Sequence, residues 1–274
     1  MKQLLIILLL ITFSANAKDH NPVLPQPQRV TYGEGQLLVK NLTIGFASAP
    51  SAEDRFAAKE LAGILSATSS GKIAVKESAI TGPSIIFKRT GGINPLAIAG
   101  EKPGPESRES YKIKVTAKNI TVTAVSSAGL YYAVQTLKQL VEGSGDRAAI
   151  PEVEIHDWPS LAYRGFMMDM SHMQFPRVEE IKKQIDFLAR WKTNQYFFYS
   201  EASIELDGYP LLMSNARYTK EQIRDIIAYA KARHIDVIPN MELYGHLHDL
   251  FKLEHYSDLS VTPYGGSLSR KIHA

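Results

Sequence analysis

The chain is 274 residues long, 45% apolar and 22% charged, with a formal charge of +3 and no cysteine. That composition excludes a disordered chain, a disulfide scaffold and thiolate metal sites, and a charge this small and evenly spread offers no footprint for nucleic acid. Whatever core forms must hold by burial alone.

Lys2 is followed by L-L-I-I-L-L-L-I-T-F and then by Ala15-Asn16-Ala17, the positive, apolar and small-residue order of a secretory leader. Residues 1–17 are therefore expected to be a cleaved signal peptide, and the mature protein secreted or periplasmic. The apolar run is well short of the ~20 residues that cross a bilayer, so no stable membrane insertion is expected. After three prolines, Pro22, Pro25 and Pro27, alternation through Val30-Thr31-Tyr32 and Leu37-Leu38-Val39 predicts two strands parted by a Gly33-Glu34-Gly35 turn. Phe56, Ala57, Leu61, Ile64 and Leu65 recur at helical spacing, which predicts one amphipathic helix over Ser51–Ser66. Lys72–Lys76 and Ser84–Lys88 are short β-rich runs, and 91–105 reads as a loop.

In Glu109–Leu140, Tyr111, Ile113 and Val115 alternate with polar residues, Lys118-Asn119 makes a turn, and Ile120, Val122 and Ala124 alternate again. This predicts a hairpin with one buried face. After Gly129 the period becomes helical through Leu130, Val134, Leu137 and Leu140. Residues 18–150 are thus expected to form a small α+β domain with nothing resembling an active site.

Ile150-Pro151 and Trp158-Pro159 bracket what reads as a connector. Behind it, Arg164–Met170 is a short apolar run with a charge near each end, the pattern of a buried strand that delivers polar groups to its two ends. Pro176 introduces a helix with Val178, Ile181, Ile185 and Leu188 inward, and Gln195–Tyr199 is an aromatic strand. Thr219-Lys220-Glu221-Gln222 is a capping box opening a second helix, and Ile235–Pro239 is a third strand. The order strand, helix, strand, helix, strand implies parallel strands with right-handed crossovers, so residues 151–274 read as α/β following the α+β domain.

In such folds reactive groups sit at the carboxyl ends of the strands. The first strand brings Asp169, Ser171 and His172, the second Glu201 and Glu205, and the third Asn240, Glu242, Tyr244, His246 and His248. Arg164 and Asp169 fit a structural ion pair or a helix cap as well as a catalytic role. His246 follows a glycine, which lets the backbone approach a ligand closely. His246-Leu247-His248 also matches barrel hydrolases that bind metal at a His-x-His strand end, but the rest of a ligand set is not evident; no metal and no cofactor are expected.

The run I-P-E-V-E-I-H-D-W-P-S-L-A-Y-R-G-F-M-M-D-M-S-H-M-Q-F-P, Ile150 to Pro176, resembles the opening of the catalytic barrel of glycoside hydrolase family 20, the β-N-acetylhexosaminidases, where D-x-P-x-x-x-x-R-G-x-x-x-D precedes F-P. A-G-L-Y-Y-A-V-Q-T-L-K-Q-L, within Glu109–Leu140, is similar to that family's small N-terminal α+β domain. V-I-P-N-M-E-L-Y-G-H, Val237 to His246, resembles its V-I-P-E-I-D-x-P-G-H. The resemblance implies the first three strand-helix units of an incomplete (β/α)8 TIM barrel. It also implies removal of terminal N-acetylhexosamine by substrate-assisted retaining hydrolysis, in which the 2-acetamido oxygen attacks the anomeric carbon.

By the same resemblance Arg164 binds sugar hydroxyls, Asp169 ends the first strand at an acidic position, Glu242 stands on the motif's aspartate, and His246 belongs to a hydrogen-bonded relay to the general acid. F-F-Y-S-E-A-S-I-E stands where the family usually has H-x-H-L-T-D-D-Q; it looks more like the divergent hexosaminidase D branch and puts Glu201 among the substrate-binding residues. Asn240 and Tyr244 replace a glutamate and a proline. The family's adjacent Asp-Glu pair, polarising residue and general acid, has no counterpart before Ala274. The chain is therefore expected to be truncated and inactive, its ligand an N-acetylhexosamine-containing oligosaccharide or glycoconjugate. The alternative is a non-catalytic carbohydrate-binding or interaction module, and the lesser one a metal-dependent barrel hydrolase. Three parallel strands with an open edge and one bare face are expected to expose apolar surface.

Overall fold

The computed structural model describes residues 21–171, 175–213, 216–240, 242 and 245–261. Residues 1–17, expected to be a leader, and His172 and Tyr244 lie outside them. The first part of the chain runs β1 (Arg29–Leu38), β2 (Thr43–Phe46), α1 (Ala52–Thr68), β3 (Ala74–Val75), β4 (Ser84–Arg89), β5 (Tyr111–Val115), β6 (Asn119–Ala124), α2 (Ser127–Gln139) and β7 (Ala149–Asp157). Its strands make one mixed sheet of seven in the order β1-β7-β5-β6-β4-β2-β3.

α1 starts where Ser51 and Asp54 exchange a side-chain cap and its return bond, and α2 starts where the Ser126 hydroxyl accepts from the amides of Ala128 and Gly129. The two helices pack side by side over the sheet, with Leu61 and Leu65 of one and Leu130, Val134 and Leu137 of the other buried. Each such side chain contributes about 1.5–3 kcal/mol by leaving water. α2 is buried on nearly every side, because Tyr131 and Tyr132 face away from the sheet into the second part of the chain.

Two expectations change here. Gly33-Glu34-Gly35 is not a turn: β1 is continuous and antiparallel to β7, with a register irregularity between Tyr32 and Gln36. The glycines let Glu152 of β7 cross this bulge, donating nothing and accepting from the Gly35 amide at 3.2 Å; a Cβ on Gly35 would stand 2.8 Å from the Glu152 carboxyl carbon. The stretch from Ile150 to Trp158 is not a connector either. It forms most of β7, wedged between β1 and β5, so the seven-stranded sheet extends to Asp157.

The second part runs β8 (Gly165–Asp169), α3 (Val178–Arg190), β9 (Gln195–Tyr199), α4 (Lys220–Lys231) and β10 (Asp236–Pro239), then a single turn α5 (His248–Phe251) and a 3-10 turn Glu254–Leu259. β8, β9 and β10 form a parallel sheet with β9 central, as the strand-helix alternation requires. Side chains alternate along β9. Tyr196 and Phe198 are buried, while Phe197 and Tyr199 point to the opposite face. Gly165 is needed at the start of β8 because a Cβ there would lie 2.8 Å from the Phe197 ring.

Exposure on β8 is high for a strand, with Met167 at 61% and Phe166 at 42% on its two faces, as befits an edge strand. Limited proteolysis is therefore expected to cut first between residues 161 and 261 and to spare 29–157. Equal protection of both parts would contradict this reading of the exposed strands.

Candidate active site

The register decides what meets at the carboxyl ends. Asp169 pairs with Tyr199, and Pro239 pairs with Phe198, so the residues that follow β10 arrive beside the end of β9. The Met170 amide donates to Tyr199 O at 3.0 Å and the Asn240 amide to Phe198 O at 3.3 Å, extending both pairings past the strands. Glu201 leaves β9 two residues after Tyr199, and its side chain is only 7% exposed. His246 Nδ1 lies 2.8 Å from Glu201 Oε1, and the Tyr199 hydroxyl donates to the same oxygen at 3.3 Å. Across from them, Asn240 Nδ2 donates to Glu242 Oε1 at 2.5 Å.

Three of the residues singled out in the sequence, Glu201, Glu242 and His246, thus line one cavity of about 260 Å³. Its polar wall is completed by Ser200 and Asn240, and its apolar wall is Ile204, Leu206, Tyr209, Leu212, Leu247 and Leu250. An amphipathic slot of this size suits one sugar unit, whose hydroxyls need acceptors and donors while its ring face needs apolar contact. Loss of solvent, with the charges of Glu242 and Glu201, pushes the Tyr199 phenol up to about 12, so it stays a hydrogen-bond donor across the working pH range. His246 reaches Glu201 with φ +58°, a left-handed conformation reached on leaving Gly245. Asp169 sits at the rim: its Oδ1 accepts from the Ser171 amide at 2.8 Å and the Ser171 hydroxyl at 2.6 Å, an Asx-type turn that ends the strand.

Arg164 does not come to this mouth. It precedes β8, at the amino end of the sheet, and its guanidinium joins the two parts of the chain. Nη2 donates to Glu109 Oε2 at 2.5 Å, Nε to Lys192 O at 2.7 Å and Nη1 to Leu161 O at 2.7 Å. Asn194 Nδ2 and Arg108 Nη2 both donate to Glu109 Oε1 at 2.9 Å. Beside this cluster Lys192 Nζ donates to Asp157 Oδ2 and to the Tyr111 hydroxyl, both at 2.8 Å. Burial pushes the Lys192 ammonium below the ordinary lysine range, against the opposing pull of Asp157. The role expected of Arg164 as a ligand for sugar hydroxyls is corrected accordingly: a strand's length separates it from Glu201, and its donors are spent on Glu109 and backbone carbonyls. The ion pair weighed for it in the sequence exists, with Glu109 as its partner.

The two histidines of His246-Leu247-His248 turn to different partners. His246 turns its Nδ1 to Glu201, whereas His248 gathers with Glu201 and Asp249, whose ligand atoms lie within 4.8 Å of one another. Lys252 Nζ stands 2.7 Å from Asp249 Oδ1 and already supplies the positive charge a cation would bring there. Sequence reasoning did not single out Tyr199 as a site residue. The signal for it was its place as the last member of an alternating strand, two residues before an acid.

Carboxylates and a histidine gathered at the carboxyl ends of parallel strands, beside a separate α+β unit, are the layout of α/β enzymes whose reactive groups sit at strand ends. The model for glycosyl hydrolase family 20, domain 2, matches residues 20–158, and that for the family 20 catalytic domain matches residues 161–271. The chain belongs to glycoside hydrolase family 20. A β-hexosaminidase of Porphyromonas gingivalis is 34% identical over 194 residues, covering 62% of this chain and 25% of that protein. A chitobiase of Flavobacterium johnsoniae matches with a TM-score of 0.70 at 25% identity, over 85% of this chain and 36% of its own. A mutant β-hexosaminidase of Streptomyces plicatus in complex with its product GlcNAc matches with a TM-score of 0.68 at 26% identity, over 89% of this chain and 50% of its own. The chain spans between a quarter and a half of the length of these three relatives.

Proposed function

We propose that the cavity between β9 and β10 is the sugar pocket of a β-N-acetylhexosaminidase, built on the first three strand-helix units of a (β/α)8 barrel and exported by the leader at 1–17. The observation that carries this is the Glu201–His246 pair, 2.8 Å apart at the ends of adjacent parallel strands and opening on a cavity that also holds Glu242. The ligand is a terminal N-acetylhexosamine of an oligosaccharide or glycoconjugate, as the GlcNAc bound to the Streptomyces plicatus relative suggests. Glu201 holds His246 by Nδ1, so Nε2 is the nitrogen turned away from Glu201. In the substrate-assisted reaction that nitrogen carries the relay toward the acid, while the sugar's own acetamido oxygen attacks the anomeric carbon.

Both acids at the cavity are engaged through Oε1, Glu201 with Tyr199 and His246 and Glu242 with Asn240, and we take them to serve the pocket's own contacts rather than a leaving group. Binding without turnover is therefore the behaviour proposed for this chain. Ligand-observed NMR with N-acetylglucosamine tests it: binding is expected, with glucose weaker, and Glu201→Ala or His246→Ala should weaken it at least about tenfold, since each removes a charge-assisted contact or its support. Equal affinity for glucose, or no binding at all, would overturn the pocket. Release of nitrophenol from a nitrophenyl N-acetylglucosaminide would overturn the absence of turnover.

A further inference from the structure

We infer that Tyr199 is a positioning residue of this pocket: its phenol holds the Glu201 carboxylate and thereby sets which nitrogen of His246 faces the sugar. The inference rests on the sugar-pocket reading above for its functional meaning, but not for its geometry. Tyr199 ends the central strand, and the sheet register puts Asp169 on one side of it and the residues after Pro239 on the other. Its side chain points to the face that α3 and α4 leave open, as the burial of Tyr196 and Phe198 on the other face shows. From there the hydroxyl reaches Glu201 Oε1 at 3.3 Å within the field of the Glu242 charge, while the ring stands edge-on to the His246 imidazole, 87° between planes and 6.5 Å between centroids.

Counting protons gives the arrangement its direction. A phenol has one hydrogen and so donates to one carboxylate at a time. Glu242 Oε1 has its own donor in Asn240 Nδ2, so the phenol hydrogen goes to Glu201, whose side chain is nearly buried. Glu201 Oε1 then accepts from the phenol, and for His246 Nδ1 to stand 2.8 Å from the same oxygen without repulsion of lone pairs it must carry the imidazole hydrogen. Nε2 is left with its lone pair on the exposed side of a ring whose side chain is 54% exposed. Without the hydroxyl, the Glu201 carboxylate can swing about its last torsion, and neither the ring orientation nor the tautomer of His246 is specified.

Tyr199→Phe isolates the hydroxyl, because the ring that abuts His246 remains. With histidine 15N-labelled and the imidazole neutral, the native chain should show His246 as the Nδ1–H tautomer, and Tyr199→Phe should show a mixture of both tautomers. The same substitution should weaken N-acetylglucosamine about three- to tenfold, the loss of one hydrogen bond. A packing role alone would leave the tautomer unchanged, so an unchanged tautomer in a folded Tyr199→Phe overturns the inference. An Nε2–H tautomer in the native chain overturns it too, and that measurement stands even if the variant does not fold. Failure of the native chain to bind the sugar would sink the sugar-pocket reading and leave the tautomer result to judge Tyr199 alone.

Discussion

Replacing Glu109 by alanine is expected to cost about 3–5 kcal/mol of unfolding free energy, measured from urea transitions of the two proteins, because it strips a buried ion cluster of its one shared anion. Glu109 is 2% exposed and accepts from Arg164, Arg108 and Asn194. Arg108 keeps Glu101, whose carboxylate is 2.7 Å away, but Arg164 and Asn194 lose an acceptor where water does not easily reach. The control is Arg55→Ala. Arg55 holds Glu77 by two bonds, 2.7 and 3.0 Å, yet both side chains are about half exposed, so water screens the pair and its loss is expected to be far smaller than that of Glu109. Equal losses from the two substitutions would mean that burial at Glu109 does not strengthen the cluster. Arg164→Ala should resemble Glu109→Ala and the double variant should cost less than the sum, since both residues act in one network.

Stability is expected to fall by about 3 kcal/mol as pH drops from 6.5 to 4 because of His234 alone. This residue follows α4 with φ +62°, is fully buried against Tyr131 and Tyr132 of α2, and places Nδ1 2.8 Å from Pro95 O. Nδ1–H donates to that carbonyl, and Nε2 has no hydrogen-bond partner among the described residues. A proton on Nε2 would therefore be a buried donor with nothing to bond. Burial is the main cause that lowers its pKa from 6.5 to about 4; the Pro95 carbonyl opposes the shift, the charge of Arg108 adds to it, and Glu53 and Asp54 oppose it.

A base whose folded-state pKa is depressed stays neutral when folded while the unfolded chain takes up the proton. The stabilisation is complete above pH 6.5 and is lost as pH falls toward 4. The gap between those values converts to about 3 kcal/mol at 1.36 per unit. Urea midpoints across that window should fall more steeply for the native chain than for His234→Gln, which cannot titrate. Parallel curves would show that the interface tolerates the charged ring.

Much of this was legible beforehand. The helices over 52–68, 127–139, 178–190 and 220–231 followed from apolar spacing and from caps such as Ser51 and Thr219, and β9 followed from its run of aromatics. These signals are local: each needs only a few neighbouring residues to be expressed. Where the reading failed, the deciding partner was distant in sequence. Gly33-Glu34-Gly35 looks like a turn until β7 lies beside it and Glu152 crosses the bulge. The 150–158 stretch, with its prolines, looks like a connector until β1 and β5 take it up between them, and β2 is a strand only beside β3 and β4.

The site divides in the same way. Sequence by itself determined the family, the order of strands and helices after Arg164, and which acids and histidines follow each of those strands, because motifs and periodicity are properties of consecutive residues. Only the tertiary structure decided which of them meet. Parallel pairing in one register brought Glu201, Glu242 and His246 to one cavity and set the unforeseen Tyr199 against Glu201 beside it. Arg164, five residues before Asp169, went to the opposite end of the same strand and into a buried pair with Glu109, 55 positions away in the chain. A strand rises ~3.3 Å per residue, so its two ends serve different neighbourhoods, and only the fold determines which one becomes the site.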